Sequence, residues 1–84
     1  MKPNQQRDKY EIIKDVLESL PDYKFRIMYK SNMDFRRLQF YIYFILEKGL
    51  IYRQHTCYYR TKKGEEYLKT MNSLMSLYTN TNEK

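Results

Sequence analysis

From Asp8 to Leu20 the apolar residues Tyr10, Ile13, Leu17 and Leu20 recur at helical spacing, with Val16 beside them and Lys9, Lys14, Asp15 and Glu18 off the stripe. An apolar stripe of that period predicts a helix with one face turned to a core. Asp8 followed by Glu11 makes a capping-box-like start, with carboxylates at the positive helix end, and Pro21 closes the segment. A second, shorter helix is predicted over Lys24–Lys30 from Phe25, Ile27 and Met28, with Ser31, Asn32 and Met33 as the turn. Asp34 is a good N-cap for a third helix, Phe35–Lys48, which stops at Gly49, where a left-handed residue is easiest. On this helix Leu38, Tyr41, Ile42, Ile45 and Leu46 share one face, while Arg36, Phe40, Tyr43, Phe44 and Glu47 fall on the other.

Leu50–Gln54 and Cys57–Thr61 are rich in residues that favour extended backbone and predict two strands joined at His55-Thr56, a turn without glycine. Thr61 then caps a last helix, Lys62–Tyr78, in which Tyr67, Met71, Leu74 and Tyr78 repeat at spacings of 4, 3 and 4 and Leu68 and Met75 broaden the stripe. That seam suits pairing with a twin helix. Residues 1–7 and 79–84 are polar, without periodicity, and are expected to be flexible tails flanking a domain over 8–61 and the helix over 62–78. Most tyrosines sit at positions of buried-type periodicity and are expected to fill the core and the hairpin.

Composition narrows the function. Eighty-four residues make one domain at most. A chain of that size buries only about 60–65% of the surface it exposes when unfolded, so a second subunit is a natural aid. One cysteine, Cys57, forms no internal disulfide, and with the single histidine, His55, it leaves too few soft ligands for a zinc site. No metal, cofactor or small-molecule ligand is expected. Two glycines leave no phosphate-cradling loop, and no Ser–His–Asp or paired-carboxylate constellation is present, so an enzyme is not expected. With neither a long apolar run nor a signal-peptide core over Met1–Leu20, no membrane association is expected and the protein is placed in the cytoplasm.

The predicted order is helix, helix, turn, helix, hairpin, long helix: an α+β, mostly α, winged helix-turn-helix with a two-stranded wing. The blocks Tyr10-Glu11-Ile12-Ile13, Phe25-Arg26-Ile27-Met28-Tyr29-Lys30-Ser31-Asn32-Met33, Leu46-Glu47-Lys48-Gly49-Leu50-Ile51 and Tyr59-Arg60-Thr61-Lys62-Lys63-Gly64-Glu65-Glu66-Tyr67-Leu68 resemble a family of small archaeal winged-helix DNA-binding proteins. That family includes chromatin-associated proteins of roughly ten kilodaltons and archaellum-regulator-like domains, and the likeness covers about residues 7–70. The resemblance implies double-stranded DNA as partner and an antiparallel pairing of the last helix with its twin. It places the protein at the nucleoid, or in the host cytoplasm if virus-encoded. The chain departs from the family in Phe40 and Phe44 on the third helix and in its short, glycine-free wing.

The charge distribution fits such a partner. Sixteen Lys and Arg stand against ten Asp and Glu, a net +6. Half of the acids lie at the first helix and its exit, in Asp8, Glu11, Asp15, Glu18 and Asp22, while residues 48–64 hold Lys48, Arg53, Arg60, Lys62 and Lys63 with no acid, and residues 23–33 hold Lys24, Arg26 and Lys30 with none. A cation in the first turn of a helix opposes the helix dipole by roughly 0.3–1 kcal/mol, yet the third helix opens with Arg36-Arg37 and the last with Lys62-Lys63. An anionic partner reverses that sign. In a helix-turn-helix the second helix enters the major groove, which nominates Arg36, Arg37, Gln39, Phe40 and Tyr43: Arg can bond guanine, Gln adenine, and Phe can meet thymine methyls. Ser31 and Asn32 are expected to donate to the DNA backbone, and Arg53, His55 and Arg60 to bring the wing against phosphates or a minor groove. Tyr67, Leu68, Met71, Leu74, Met75 and Tyr78 are the expected dimer seam. A transcriptional regulator is the reading favoured by these features; a weakly specific DNA-coating protein and a protein–protein adaptor using Phe40, Tyr43 and Phe44 are the alternatives.

Overall fold

The structure is a computed structural model that describes the backbone of residues 8–83 and the side chains of residues 8–77. In chain order it has α1 (Lys9–Glu18), β1 (Asp22–Tyr23), α2 (Lys24–Ser31), α3 (Phe35–Glu47), β2 (Ile51–Gln54), β3 (Cys57–Arg60) and α4 (Lys62–Glu83). The expected tail over 1–7 lies outside the described residues, as does the Tyr78 side chain. The last helix runs past Tyr78 to Glu83, so the backbone of 79–83 is helical.

Helix boundaries follow from their caps. Asp8 accepts from the Glu11 N–H at 3.0 Å and Asp34 from the Arg37 N–H at 2.8 Å, each satisfying one of the free donors of a first turn. Asn32 ends α2 in the left-handed region, and Gly49, at φ 77°, follows α3 in the same region. The sheet has three strands rather than the expected two. β1 pairs antiparallel with β3 (Asp22↔Tyr58, Tyr23↔Cys57), and β2 flanks β3 on its other edge from Ile51↔Arg60 to Gln54↔Cys57. A two-residue strand formed about 35 residues from its partner leaves no periodicity to read. The hairpin turns without glycine because His55 takes the left-handed conformation at φ 58°.

The core is aliphatic. Ile12, Ile13, Val16, Leu17 and Leu20 from α1 and its exit meet Ile27, Leu38, Ile42, Ile45, Leu50 and Ile51, with Met33 and Tyr58 completing the cluster. The expectation of a tyrosine-filled core is corrected here: Tyr10, Tyr23, Tyr29 and Tyr52 are exposed, and Tyr41, Tyr59 and Tyr67 only half-buried. In α1 the expected Ile13, Val16, Leu17 and Leu20 are buried, with Ile12 added to the inward face and Tyr10 left out of it. α4 packs on α1 and β3, and the Tyr67 hydroxyl donates to the Tyr10 carbonyl at 3.2 Å.

The segment Thr61-Lys62-Lys63-Gly64 acts as a junction. The Thr61 hydroxyl donates to the Gly49 carbonyl at 2.6 Å and accepts from the Gly64 N–H at 3.0 Å, so one side chain caps α4 and binds the end of α3. Lys63 Nζ donates to the Lys48 carbonyl at 2.9 Å, placing a cation at the negative end of α3. Gly64 is required by space: a Cβ there would lie 2.1 Å from the Leu50 carbonyl oxygen, a backbone atom. Gly64→Ala is therefore expected to lower unfolding stability by about 1–3 kcal/mol or more, from overpacking against a backbone that must shift. Chemical denaturation compared with Gly49→Ala, where the added Cβ meets open space and the cost is conformational alone, separates the two effects.

Candidate nucleic-acid interface

The α2–turn–α3 unit and the β2–β3 hairpin hold most residues that the sequence nominated. α3 is phased by Leu38, Ile42 and Ile45, all buried. That phase turns Arg36, Phe40, Tyr43 and Glu47 outward, with Arg37 also exposed. Phe40 is 62% exposed and Tyr43 67%, too much for either to serve the core. Phe44 is half-buried, stacked at 6.3 Å on Phe40 and under the Lys48 ammonium, so it supports the ridge rather than extending it. Arg36 and Arg37 have no carboxylate partner among the described residues; the first turn of α3 holds no acid, and the Asp34 carboxylate bonds the Arg37 backbone N–H. Gln39 is less free, since its carboxamide oxygen accepts from Lys24 Nζ at 2.8 Å.

Several nominated cations turn out to hold the fold together. Arg60 points inward, its guanidinium donating to the Leu17 and Leu20 carbonyls and, through Nε, to Glu65 at 2.9 Å. It joins the end of α1 to the start of α4 and does not face outward with the wing. Lys30 Nζ lies 2.7 Å from Asp22 Oδ2 and donates to the Ser19 carbonyl at 3.0 Å, while Arg26 Nε lies 3.1 Å from the same carboxylate oxygen. Ser31, expected at the turn, is the last residue of α2 and is buried, its hydroxyl donating to the Ile27 carbonyl at 2.6 Å. Asn32 stays exposed. On the hairpin, Arg53 and His55 are exposed at the tip, with Arg53 Nε donating to the His55 carbonyl at 2.8 Å. Lys62 is exposed at the start of α4, and Lys63 is engaged with Lys48 as above.

Among the nominated groups, those left outward on the α3 side are Arg36, Arg37, Phe40 and Tyr43. The sequence reading missed the role of Asp22, which serves as counter-ion to two cations of α2, and missed the exposure of Phe25, Tyr29 and Phe35. The spacing of Phe25 and Tyr29, opposite the buried Ile27 and Ser31, was the available signal for the latter. Among the described residues no cluster of His, Cys, Asp or Glu can hold a metal ion, and no helix is long and apolar enough to cross a membrane.

A helix-turn-helix followed by a β-hairpin agrees with what sequence comparison finds: a winged helix-turn-helix family model matches residues 6–79. The chain belongs to the winged helix-turn-helix family. Its fold is similar to the crystal structure of Sso10a-2, a DNA-binding protein from Sulfolobus solfataricus, with a TM-score of 0.77 over 92% of this chain and 87% of that one. At 20% identity that likeness is one of fold. No curated protein sequence matches the chain. Within the winged helix-turn-helix frame α2 and α3 form the motif, β2 and β3 the wing, and β1 a third strand on the edge away from β2.

The Asp22 cluster gives this winged helix-turn-helix an acid-sensitive joint. The Lys30 ammonium beside Asp22, helped by Arg26 and the Tyr23 N–H, holds its carboxyl at about 2 against an ordinary 3.8. A carboxyl with a lowered folded pKa stabilises the fold fully above its unfolded value and loses that contribution as protonation sets in, here as pH falls from about 4 towards about 2. Thermal melts across that window are expected to show a steeper acid-side decline for the natural chain than for Asp22→Asn, and parallel curves would refute the assignment.

Proposed function

We propose that the protein binds double-stranded DNA as a homodimer, as a transcriptional regulator, with α3 in the major groove and the wing beside it. The observation that carries this reading is the outward face of α3, where Arg36, Arg37, Phe40 and Tyr43 are exposed on a helix whose first turn holds two cations and no acid. Such a helix start is unfavourable in isolation and favourable against phosphate or the acceptor edge of guanine. The second helix of a helix-turn-helix is the element that enters the major groove. The DNA-binding description of Sso10a-2, which shares the fold, supports the same partner. Lys62, at the start of α4, and Arg53, at the wing tip, supply phosphate contacts, and the protein then acts at the nucleoid.

The Lys24–Gln39 bond favours a second reading within the same class, a weakly specific DNA-coating protein. With the Gln39 carboxamide oxygen engaged, Arg36 and Arg37 are the groups best placed on α3 to bond base edges. Competition separates the readings: a regulator's site outcompetes random duplex by at least about 10³, whereas a coating protein shows no such preference.

The dimer reading rests on α4. Tyr67, Leu68 and Met71 are half-buried against the domain, whereas Leu74 is 47% exposed and Met75 38% exposed further along the same helix. Leu50, Tyr67 and Met71 line a shallow hollow beside it. A twin α4 laid over Met71 and Leu74 would cover this surface, and association would add the burial that a small monomer lacks.

Three measurements test the reading. A dimer neutralising about 6–10 phosphates loses roughly 10³–10⁵ in duplex affinity between 50 and 200 mM salt, and Arg36→Ala with Arg37→Ala should weaken binding and flatten that slope by about one for each phosphate contact removed. Because both cations oppose the α3 dipole, the same pair of substitutions should leave the melting temperature unchanged or raise it slightly. Leu74→Glu, at a half-exposed site that the monomer tolerates, should convert dimer to folded monomer in sedimentation. A dimer that persists would reject the seam.

A further inference from the structure

Three aromatic side chains on the flank of the helix-turn-helix are left unexplained by the core and by the α3 groove face. Phe25 is 64% exposed, Tyr29 82% and Phe35 48%. Phe25 and Tyr29 stand four residues apart on the outer face of α2, and the Phe35 ring stacks on Phe25 at 6.3 Å with Lys24 Nζ 5.6 Å from its centroid. The surrounding charge is positive: Arg36 and Arg37 follow Phe35 directly, and Arg26 follows Phe25. The two nearby carboxylates are already engaged, Asp22 with Lys30 and Arg26, and Asp34 with the Arg37 N–H.

A duplex does not explain this surface. Its base faces are stacked inside, and the sugar–phosphate strand that would pass beside α3 rewards hydrogen-bond donors, of which Phe25 and Phe35 have none. Flat apolar faces within a cationic rim fit a polyanion whose bases are free to stack, since every base has a π-face and aromatic stacking needs no sequence match. We propose that the Phe25–Tyr29–Phe35 flank is a second binding site, for unpaired nucleotides, with Lys24, Arg36 and Arg37 following the strand's phosphates. The site shares the α3 cations with the duplex reading but stands on different side chains, so either can fail without the other.

The test measures fluorescence anisotropy of a labelled oligo-dT strand of about 12 nucleotides, within the span that such stacking sites cover, and of a labelled duplex, against the full chain at low salt. The natural protein is expected to bind the strand, and Phe25→Ala with Phe35→Ala to weaken that binding about tenfold or more while duplex affinity holds. Phe25→Tyr with Phe35→Tyr, which keeps both rings, should restore strand binding. Both positions are exposed, so an unchanged melting temperature is the control for folding. No strand binding at low salt overturns the proposal. An equal loss for strand and duplex assigns the aromatics to the duplex face and overturns it too, as does a change in sedimentation, which would make the patch a contact between copies.

Discussion

Much of the structure depends on how the C-terminal end of α1 is satisfied. A helix leaves its last carbonyls without intrahelical partners, and here those carbonyls end inside the fold, with no basic residue in the helix's own last turn. The Ser19 hydroxyl takes the Val16 carbonyl at 2.6 Å, Arg60 takes those of Leu17 and Leu20, and Lys30 takes that of Ser19. Arg60 comes from β3 and Lys30 from α2, so the sheet and the helix-turn-helix are tied to one helix end. Hydrogen bonds from charged donors contribute about 1.5–3 kcal/mol each, and removing such a donor leaves a carbonyl unsatisfied. Lys63 repeats the device at the end of α3, by way of the Lys48 carbonyl.

This internal use of cations changes what the net charge of +6 means. Arg60, Lys30 and Lys63 are held by backbone oxygens and so lose freedom to reach a partner, and Lys30 and Arg60 are also paired with the carboxylates of Asp22 and Glu65. Arg26 shares Asp22 with Lys30. Arg36 and Arg37 in the first turn of α3, where Asp34 is occupied as a cap, and Lys62 at the start of α4 carry neither constraint. In the proposed reading, short-range contact to an anionic partner then falls to Arg36, Arg37 and Lys62, with Arg53 at the wing tip.

Local signals were legible in the sequence and long-range ones were not. Asp8, Asp34 and Gly49 mark helix ends within four residues of the groups they satisfy, and the α3 stripe of Leu38, Ile42 and Ile45 repeats at short spacing. Arg60 meets Leu17 across 43 residues, and nothing in its neighbourhood of Tyr59 and Thr61 distinguishes a structural arginine from one that meets DNA. Ser31 shows the opposite failure, a turn-forming residue type that α2 extends to include as its last buried position. In the TKKG block the sequence marks Thr61 as a helix cap, which its bond from the Gly64 N–H bears out, and otherwise offers only the family likeness and the charge of the lysines. Its physical content lies in Thr61, Lys63 and Gly64 each touching the α3–β2 connection.

The aromatic residues divide by the same logic of what their surroundings can accept. The core is closed almost entirely by branched aliphatic side chains, with Tyr58 the aromatic among its buried members. A small core of this kind has little room for large planar rings, and an excess of aromatics in so short a chain is pushed outward. Exposed Phe and Tyr carry a standing cost in solubility unless a partner or a charged rim covers them. On the flank of α2 and at the first turn of α3 the rim is cationic and the nearby Asp22 and Asp34 are occupied. On the α2–α3 flank, aromatic faces and cations thus lie close together, left over when an aliphatic core and a set of carbonyl-bound cations had built the fold.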